Sequence, residues 1–312
     1  MPSILPSSEE PRDPASMSAD ELAERPAALE GGSWPQLRAL LKYLTKTEVH
    51  TYAFSVAAQV ILSLFPFIVM MLSLSRNLFH SRAMEAVVGD MMHNLLPVGQ
   101  DFIVRNMQLL AHPRKGVQVF SIVMLLITST GVFLPLEVAL NAVWGVKENR
   151  NYLHNQAVSL GLAAAVGVLA MASVAGTAGQ RSLLSWIFFG HSDNWVFNFI
   201  SHTLLKIFSV VAGILLFFLI YWLLPNRKIP AAAVMPTAIV VGLLWQLAKV
   251  VYVKALTWLD FQSVYGPFYI SVGLMTWAFL SGLLLLAGGH FSANRYAVRM
   301  ARVAERKEAT EA

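Results

Sequence analysis

Long apolar windows without a charge recur along the chain: Thr51 to Ser75, Gly116 to Leu136, Asn155 to Gln180, Ile207 to Asn226, Ile229 to Ala248 and Phe261 to Gly289. Each reaches the roughly 20 residues that a helix needs to cross about 30 Å of hydrocarbon, where every backbone polar group has to be paired within its own segment. The pattern predicts an all-α, polytopic membrane bundle of six transmembrane helices. Pro66 sits mid-way along the first window, removes a backbone donor and frees the carbonyl of Leu62, which predicts a kink.

Between and before the windows the period changes to that of amphipathic helices. Ser33 and Pro35 start one in which Leu37, Leu40, Leu41 and Leu44 share a face, with Arg38, Lys42 and Lys46 off it: an interfacial helix. In the first long connection, Met84, Val87, Val88, Met91, Met92 and Leu95 precede Pro97, and Phe102, Ile103, Met107 and Leu110 follow it. These spacings predict two amphipathic helices at the outer face, either a lid on the bundle or helices floating at the headgroups. Ala163 with Gly167, and Ala172 with Gly176, suggest a small-residue packing seam. In YWLLPNRKIP, Tyr221 and Trp222 suit a membrane interface, and Pro225 and Pro230 bound a tight turn between antiparallel helices.

Composition agrees with a membrane protein: 56% of residues are hydrophobic and 13% are charged. Residues 1–33 are acidic and Pro- and Ser-rich, without the apolar core of a signal peptide, and read as a disordered tail; 34–299 form the membrane domain and 300–312 a polar tail. The absence of cysteine removes disulfides, CxxCH haem attachment and thiolate metal sites. The net charge of +5 is placed by topology rather than for nucleic acid. Alternate connections carry Arg38, Lys42 and Lys46, then Lys147 and Arg150, then Arg227 and Lys228, then the Arg-rich end, which puts both termini in the cytoplasm.

Glu137 is the one charge between Gly116 and Val146. Twenty residues from Val117 end at Leu136, so Glu137 falls near the cytoplasmic edge, just after Pro135 perturbs the helix. Two orientations are open. Leu136, Leu140, Val143 and Trp144 could be the buried face of a short interfacial helix, with Glu137, Asn141 and Glu148 solvated, and charge pattern alone favours this. Alternatively, Glu137 and Asn141 turn inward to a polar pocket, joined at the same depth by His290 and Asn294. Other polar residues inside the windows extend that candidate cluster: Gln59 and Ser63 beside Pro66, and Gln246 with Lys249, which is either deep in the bundle or snorkels to the outer interface, the latter slightly favoured. The last helix carries a basic stripe, Arg295, Arg299, Arg302 and Arg306, suited to anionic lipid headgroups at the cytoplasmic face.

The order of these features resembles the YihY/BrkB family of bacterial inner-membrane proteins, some once labelled ribonuclease BN. The resemblance covers Trp34 to Arg299 and is carried by AAQVILSLFPF, TSTGVFLPLEVALNAVWGVKENR, LLPNRKIPAAAVMPTAIVVGLLWQLAKVVYV and VYGPFYISVGLMTWAFLSGLLLLAGGHFSANR. It implies a six-helix inner-membrane protein with envelope functions such as transport or resistance, and it supplies no catalytic site. The family's last helix commonly ends in a Gly-Ala-Glu-like turn, where this chain has Gly288, Gly289 and His290.

No HxHxDH, HExxH, P-loop, GxSxG or GxGxxG pattern is present, so an enzyme is not expected and no cofactor is implied. Five of the eight histidines fall on the outer side (His80, His93, His112, His191 and His202), near Asp90, Asp101 and Asp193, at spacings that match no metal site. The leading expectation is a transporter-like or lipid-handling protein working on a lipid or small solute through a polar intramembrane cavity. The alternative is a structural or scaffolding protein of the envelope; a homo-oligomer stays open under both.

Overall fold

The computed structural model describes residues 33–77, 80, 88, 98–99, 115–146, 151–187 and 195–311. The elements are α1 (Ser33–Leu44), α2 (Thr47–Asn77), α3 (Lys115–Val143), α4 (Tyr152–Ile187), α5 (Trp195–Leu223), α6 (Ala231–Trp258), α7 (Phe261–Tyr265), a 3-10 turn (Gly266–Phe268) and α8 (Tyr269–Glu311). Among the described residues there is no strand. The apolar windows have become helices because in a chain this poor in charge only the helix pairs each backbone group locally.

Among the described residues three stretches are long and apolar enough to cross a membrane: Leu153–Ala172, Ala231–Trp258 and Phe261–Met300. A fourth is reached if Thr47–Leu64 and Pro66–Ser73, bent by 41°, form a single span. That bend sits where Pro66 was expected to place it. The other two predicted spans overlap shorter apolar helical stretches, Gly131–Val143 and Val210–Leu223.

α2 and α8 run antiparallel through the centre: Tyr43, just before α2, stacks on His290, Phe54 stacks on Phe279, and Ile68 clusters with Leu274. α3 lies against α2, α4 and α8, and α5 and α6 pack on each other across the connection 224–230. The largest core lies at the end that holds this connection and gathers Leu136, Leu140, Leu162, Tyr221, Leu224, Val234 and Leu286. At the other end, Val88 is buried with Met71 and Met171, and Val98 packs near Tyr252 and Trp277, so the first long connection meets the bundle at both points.

Several expectations change. α3 continues through Pro135 to Val143, so no separate interfacial helix begins there: the ring omits one donor, and the packed neighbours hold the remaining turns. Tyr221 is fully buried while its neighbour Trp222 is exposed, because only one face of α5 looks outward. A Cβ on Gly167 would meet nothing within 4 Å, so that part of the predicted seam is open; close approaches occur instead at Gly242, Gly288 and Gly289. α8 carries the basic stripe on one continuous helix that runs to Glu311. The acidic tail 1–32, the stretch Met84 to Leu95 apart from Val88, the stretch Phe102 to Leu110, and His93, His112 and His191 lie outside the described residues.

Candidate functional site

Both polar side chains on the last turns of α3 point into the protein. Glu137 and Asn141 are each 1% exposed, as deeply buried as Leu136 (1%) and Leu140 (0%) on the adjoining stripe. The helix is enclosed on more than one side, which a single-faced amphipathic pattern cannot represent. Asn141 is fixed by its surroundings: its Oδ1 accepts the backbone N–H of Asn226 at 2.7 Å, and its own carbonyl accepts the N–H of Val146 at 2.9 Å. The first bond ties α3 to the α5–α6 turn. A second tie follows one turn on, where Arg227 donates to the carbonyl of Trp144 at 3.4 Å. Trp144, expected as an interface anchor, is 5% exposed and lies against Tyr296 of α8.

The opposite wall is α8. Tyr221 donates from its hydroxyl to the carbonyl of Leu285 at 2.8 Å, and Gly288 and Gly289 admit Tyr221 and Leu140 respectively where any side chain would collide. One turn further, Ser292 donates to the carbonyl of Ala233 on α6 at 3.4 Å. His290 stacks on Tyr43 with ring centroids 4.3 Å apart, and its Nδ1 lies 3.5 Å from the Asn294 amide nitrogen. Burial, with Tyr52 adding to it, pushes the Tyr43 hydroxyl up to about 12, so this ring stays neutral against the imidazole. The elbow between α1 and α2 is closed by His50, whose Nε2 is 2.8 Å from the carbonyl of Leu44.

The predicted residues therefore divide. Glu137 with Asn141, and His290 with Asn294, occupy neighbouring helices at one end, linked by the seating of Leu140 on Gly289. Gln59 instead lies in the α2–α3 seam against Gly131. Ser63 is satisfied by its own helix, donating to the carbonyl of Val60 at 2.9 Å, and Pro66 is buried at the bend. Gln246 is half-buried on α6. The Lys249 ammonium lies over the Trp245 ring, 5.9 Å from the centroid, one turn nearer the α5–α6 connection. The ring face and the tilt of helical side chains toward the N-terminus both favour this direction. In the basic stripe, Arg295 covers the ring of Phe291 at 5.7 Å and Arg299 is exposed; the side chains of Arg302 and Arg306 lie outside the described residues.

Sequence reasoning missed four buried polar groups at the same end: Asn155 (7% exposed), Ser159 (0%), Thr237 (1%) and Ser292 (1%). A signal was available on α4, where Asn155, Ser159, Leu162 and Val166 fall on one helical stripe that enters the core. Among the described residues no three His, Asp or Glu side chains come together as metal ligands would.

Comparison with known proteins settles the lineage. The family model for virulence factor BrkB matches residues 40–312. The chain belongs to the virulence factor BrkB family. Similar proteins include a UPF0761 membrane protein of Glaesserella parasuis, 26% identical over 64% of this chain and 69% of that one. A UPF0761 membrane protein of Acinetobacter baylyi is 26% identical over 62% of this chain, and the match spans 46% of its length. The putative ribonuclease-like protein YfkH of Bacillus subtilis is 25% identical over 82% of this chain and 94% of its own. No solved structure gives a significant match. In this member of the BrkB family the matched region contains the whole α3, the α5–α6 turn and the Gly288–Gly289 contact.

Proposed function

We propose that this protein is a six-span inner-membrane protein with both termini cytoplasmic, and that it moves a lipid or small solute through a polar route centred on Glu137 and Asn141. The observation that carries this reading is the 1% exposure of Glu137, an ionisable group enclosed in an apolar bundle. Such a group is costly in a membrane protein and marks a substrate, ion or proton path far more often than a packing role. Closed as it is, the site needs helix movement to reach a substrate, and the bend at Pro66 in α2 supplies a hinge beside α3. The exposed Arg295 and Arg299 would hold the cytoplasmic side against anionic headgroups.

The test is leaflet exchange of a fluorescent phospholipid in liposomes carrying the purified protein, with Glu137→Gln alongside. Wild-type protein is expected to exchange the lipid, and the variant to reconstitute normally and lose exchange. An inactive wild type, or a variant as fast as wild type, overturns the lipid route through Glu137.

A further inference from the structure

The outward faces of α3 and α6 are apolar over their middle turns, with Val119, Ile122 and Ile127 exposed on one and Ile239, Leu243 and Leu247 on the other. The first half of α2 departs from this pattern. Glu48, Thr51 and Ser55 are exposed and Gln59 and Ser63 half-buried, at intervals of three and then four residues that keep them on one winding stripe. Exposed Phe54 and Leu62 flank it, and Gln59 lays its amide against α3, where Gly131 leaves room for it. At ~1.5 Å rise per residue, Thr51 to Ser63 covers ~18 Å, about half of a ~30 Å hydrocarbon layer. The helix dipole accounts for a carboxylate at Glu48, in the first turn of α2, but not for the hydroxyls and the amide that follow it. A polar stripe turned to hydrocarbon is unfavourable unless a polar group lies along it.

We infer that this stripe is a binding track for the headgroup of a phospholipid that carries a primary amine, with the acyl chains lying against Phe54 and Leu62. Its hydrogen-bonding character selects the ligand. Thr51 donates its hydroxyl proton to the carbonyl of Thr47 at 3.1 Å, and Ser63 donates its own to the carbonyl of Val60 at 2.9 Å, so both offer lone pairs to a neighbour. With the Glu48 carboxylate the track is rich in acceptors, which a primary ammonium satisfies with its N–H groups and a quaternary ammonium does not. Exposed Lys46, two residues before Glu48, supplies the positive charge for the phosphate of the same headgroup. One cation and one carboxylate at the mouth complement a zwitterion, whereas an anionic headgroup would meet Glu48 as a like charge. A lipid seated there keeps its chains in hydrocarbon while its headgroup follows α2 toward the Pro66 bend. The track lies on the outward face of α2, apart from the enclosed Glu137, and stands whether or not the Glu137 route operates.

The experiment uses the full-length chain, whose lack of cysteine allows single labels. A nitroxide is placed at Leu62→Cys and, as the apolar reference, at Leu244→Cys on α6, and each is read in phosphatidylethanolamine-containing liposomes for access to oxygen and to a water-soluble nickel chelate. Leu62 is expected to favour the chelate several-fold over Leu244, although the two are comparably exposed at 55% and 44%. Purified protein in detergent is then melted with phosphatidylethanolamine, phosphatidylcholine or phosphatidylglycerol at equal mole fraction, because a ligand that binds only the folded state raises the midpoint in a saturable way. Phosphatidylethanolamine is expected to raise it most, and Glu48→Gln to weaken that apparent affinity by about tenfold. Thr51→Val combined with Ser55→Ala gives the same reading should Glu48→Gln fail to fold. Equal access at Leu62 and Leu244, equal responses to the three lipids, or an unchanged phosphatidylethanolamine preference in both variants overturns the inference. A preference for phosphatidylglycerol overturns it too, and leaves only the attraction of Lys46 for anions. A phosphatidylethanolamine preference without leaflet exchange keeps the track as a binding site and removes the lipid route through Glu137.

Discussion

Gly288→Ala is expected to destabilise the protein by about 2–4 kcal/mol, the sum of an overpacked contact and a lost buried hydrogen bond. A Cβ at this position would meet the Tyr221 hydroxyl and stand 2.5 Å from a methyl of Val241, so α5 and α6 both block it. Tyr221 cannot yield cheaply, because its ring is fully buried and its hydroxyl is held by the Leu285 carbonyl. Inside a membrane the cost is not offset by hydrophobic association: helices there are held by close packing and polar ties, and this substitution damages both. Gly282→Ala is the control. Its Cβ would lie 3.4 Å from the Ala53 backbone, near ordinary contact, and the replacement gains up to about 1 kcal/mol of helix propensity. Thermal unfolding in detergent should show Gly282→Ala at or above wild type and Gly288→Ala well below it. Equal midpoints for Gly288→Ala and wild type would show that Tyr221 can swing aside and that the α5–α6–α8 seam is looser than drawn.

This contact gives meaning to a departure visible in the sequence. Where the resembling family commonly has a Gly-Ala-Glu-like turn, this chain has Gly288, Gly289 and His290. The glycines are the points at which Tyr221 and Leu140 enter α8, and His290 faces Tyr43. A residue-type comparison at His290 concerns a lost carboxylate; the structure shows an aromatic stack that fastens the α1–α2 elbow to α8.

The helices were legible because a charge-free window has one stable solution in hydrocarbon, and Pro66 announced its bend because a missing donor acts locally. The environment of each helix was not legible in the same way. Periodicity separates two faces, and it reads a polar stripe as solvated only when a single face is packed. α3 meets α2, α4 and α8 together with the α5–α6 turn, so Glu137 and Asn141 are buried beside Leu136 and Leu140. The same limit explains Tyr221 and Trp144, both aromatic residues with a polar edge that composition assigns to the interface and that the fold places inside. Asn155 and Ser159 escaped notice for the opposite reason. Single polar residues in an apolar window look incidental until their stripe is seen to continue into the core cluster through Leu162.

Asn141→Ala should separate the structural from the functional part of the buried end. The substitution takes from the Asn226 N–H the acceptor it reaches at 2.7 Å, a loss of about 1–3 kcal/mol where the donor is closed off from water. Most of that loss falls on the α5–α6 turn, which keeps the longer Arg227 bond to Trp144 of 3.4 Å. The melting midpoint is expected to drop, and hydrogen exchange at Asn226 to quicken, while the far end around Tyr252 and Trp277 stays protected. Asn141→Asp keeps an acceptor for Asn226 but adds a second carboxylate one helical turn from Glu137, where two like charges repel each other. It should therefore retain the protection of Asn226 and still impair leaflet exchange. If Asn141→Ala leaves exchange intact despite the loosened turn, Asn141 serves only to hold the connection and the polar route runs through Glu137 alone. If Asn141→Asp restores both the protection of Asn226 and full exchange, charge at this depth is tolerated, and the enclosed carboxyl of Glu137 loses its standing as the group that sets the path.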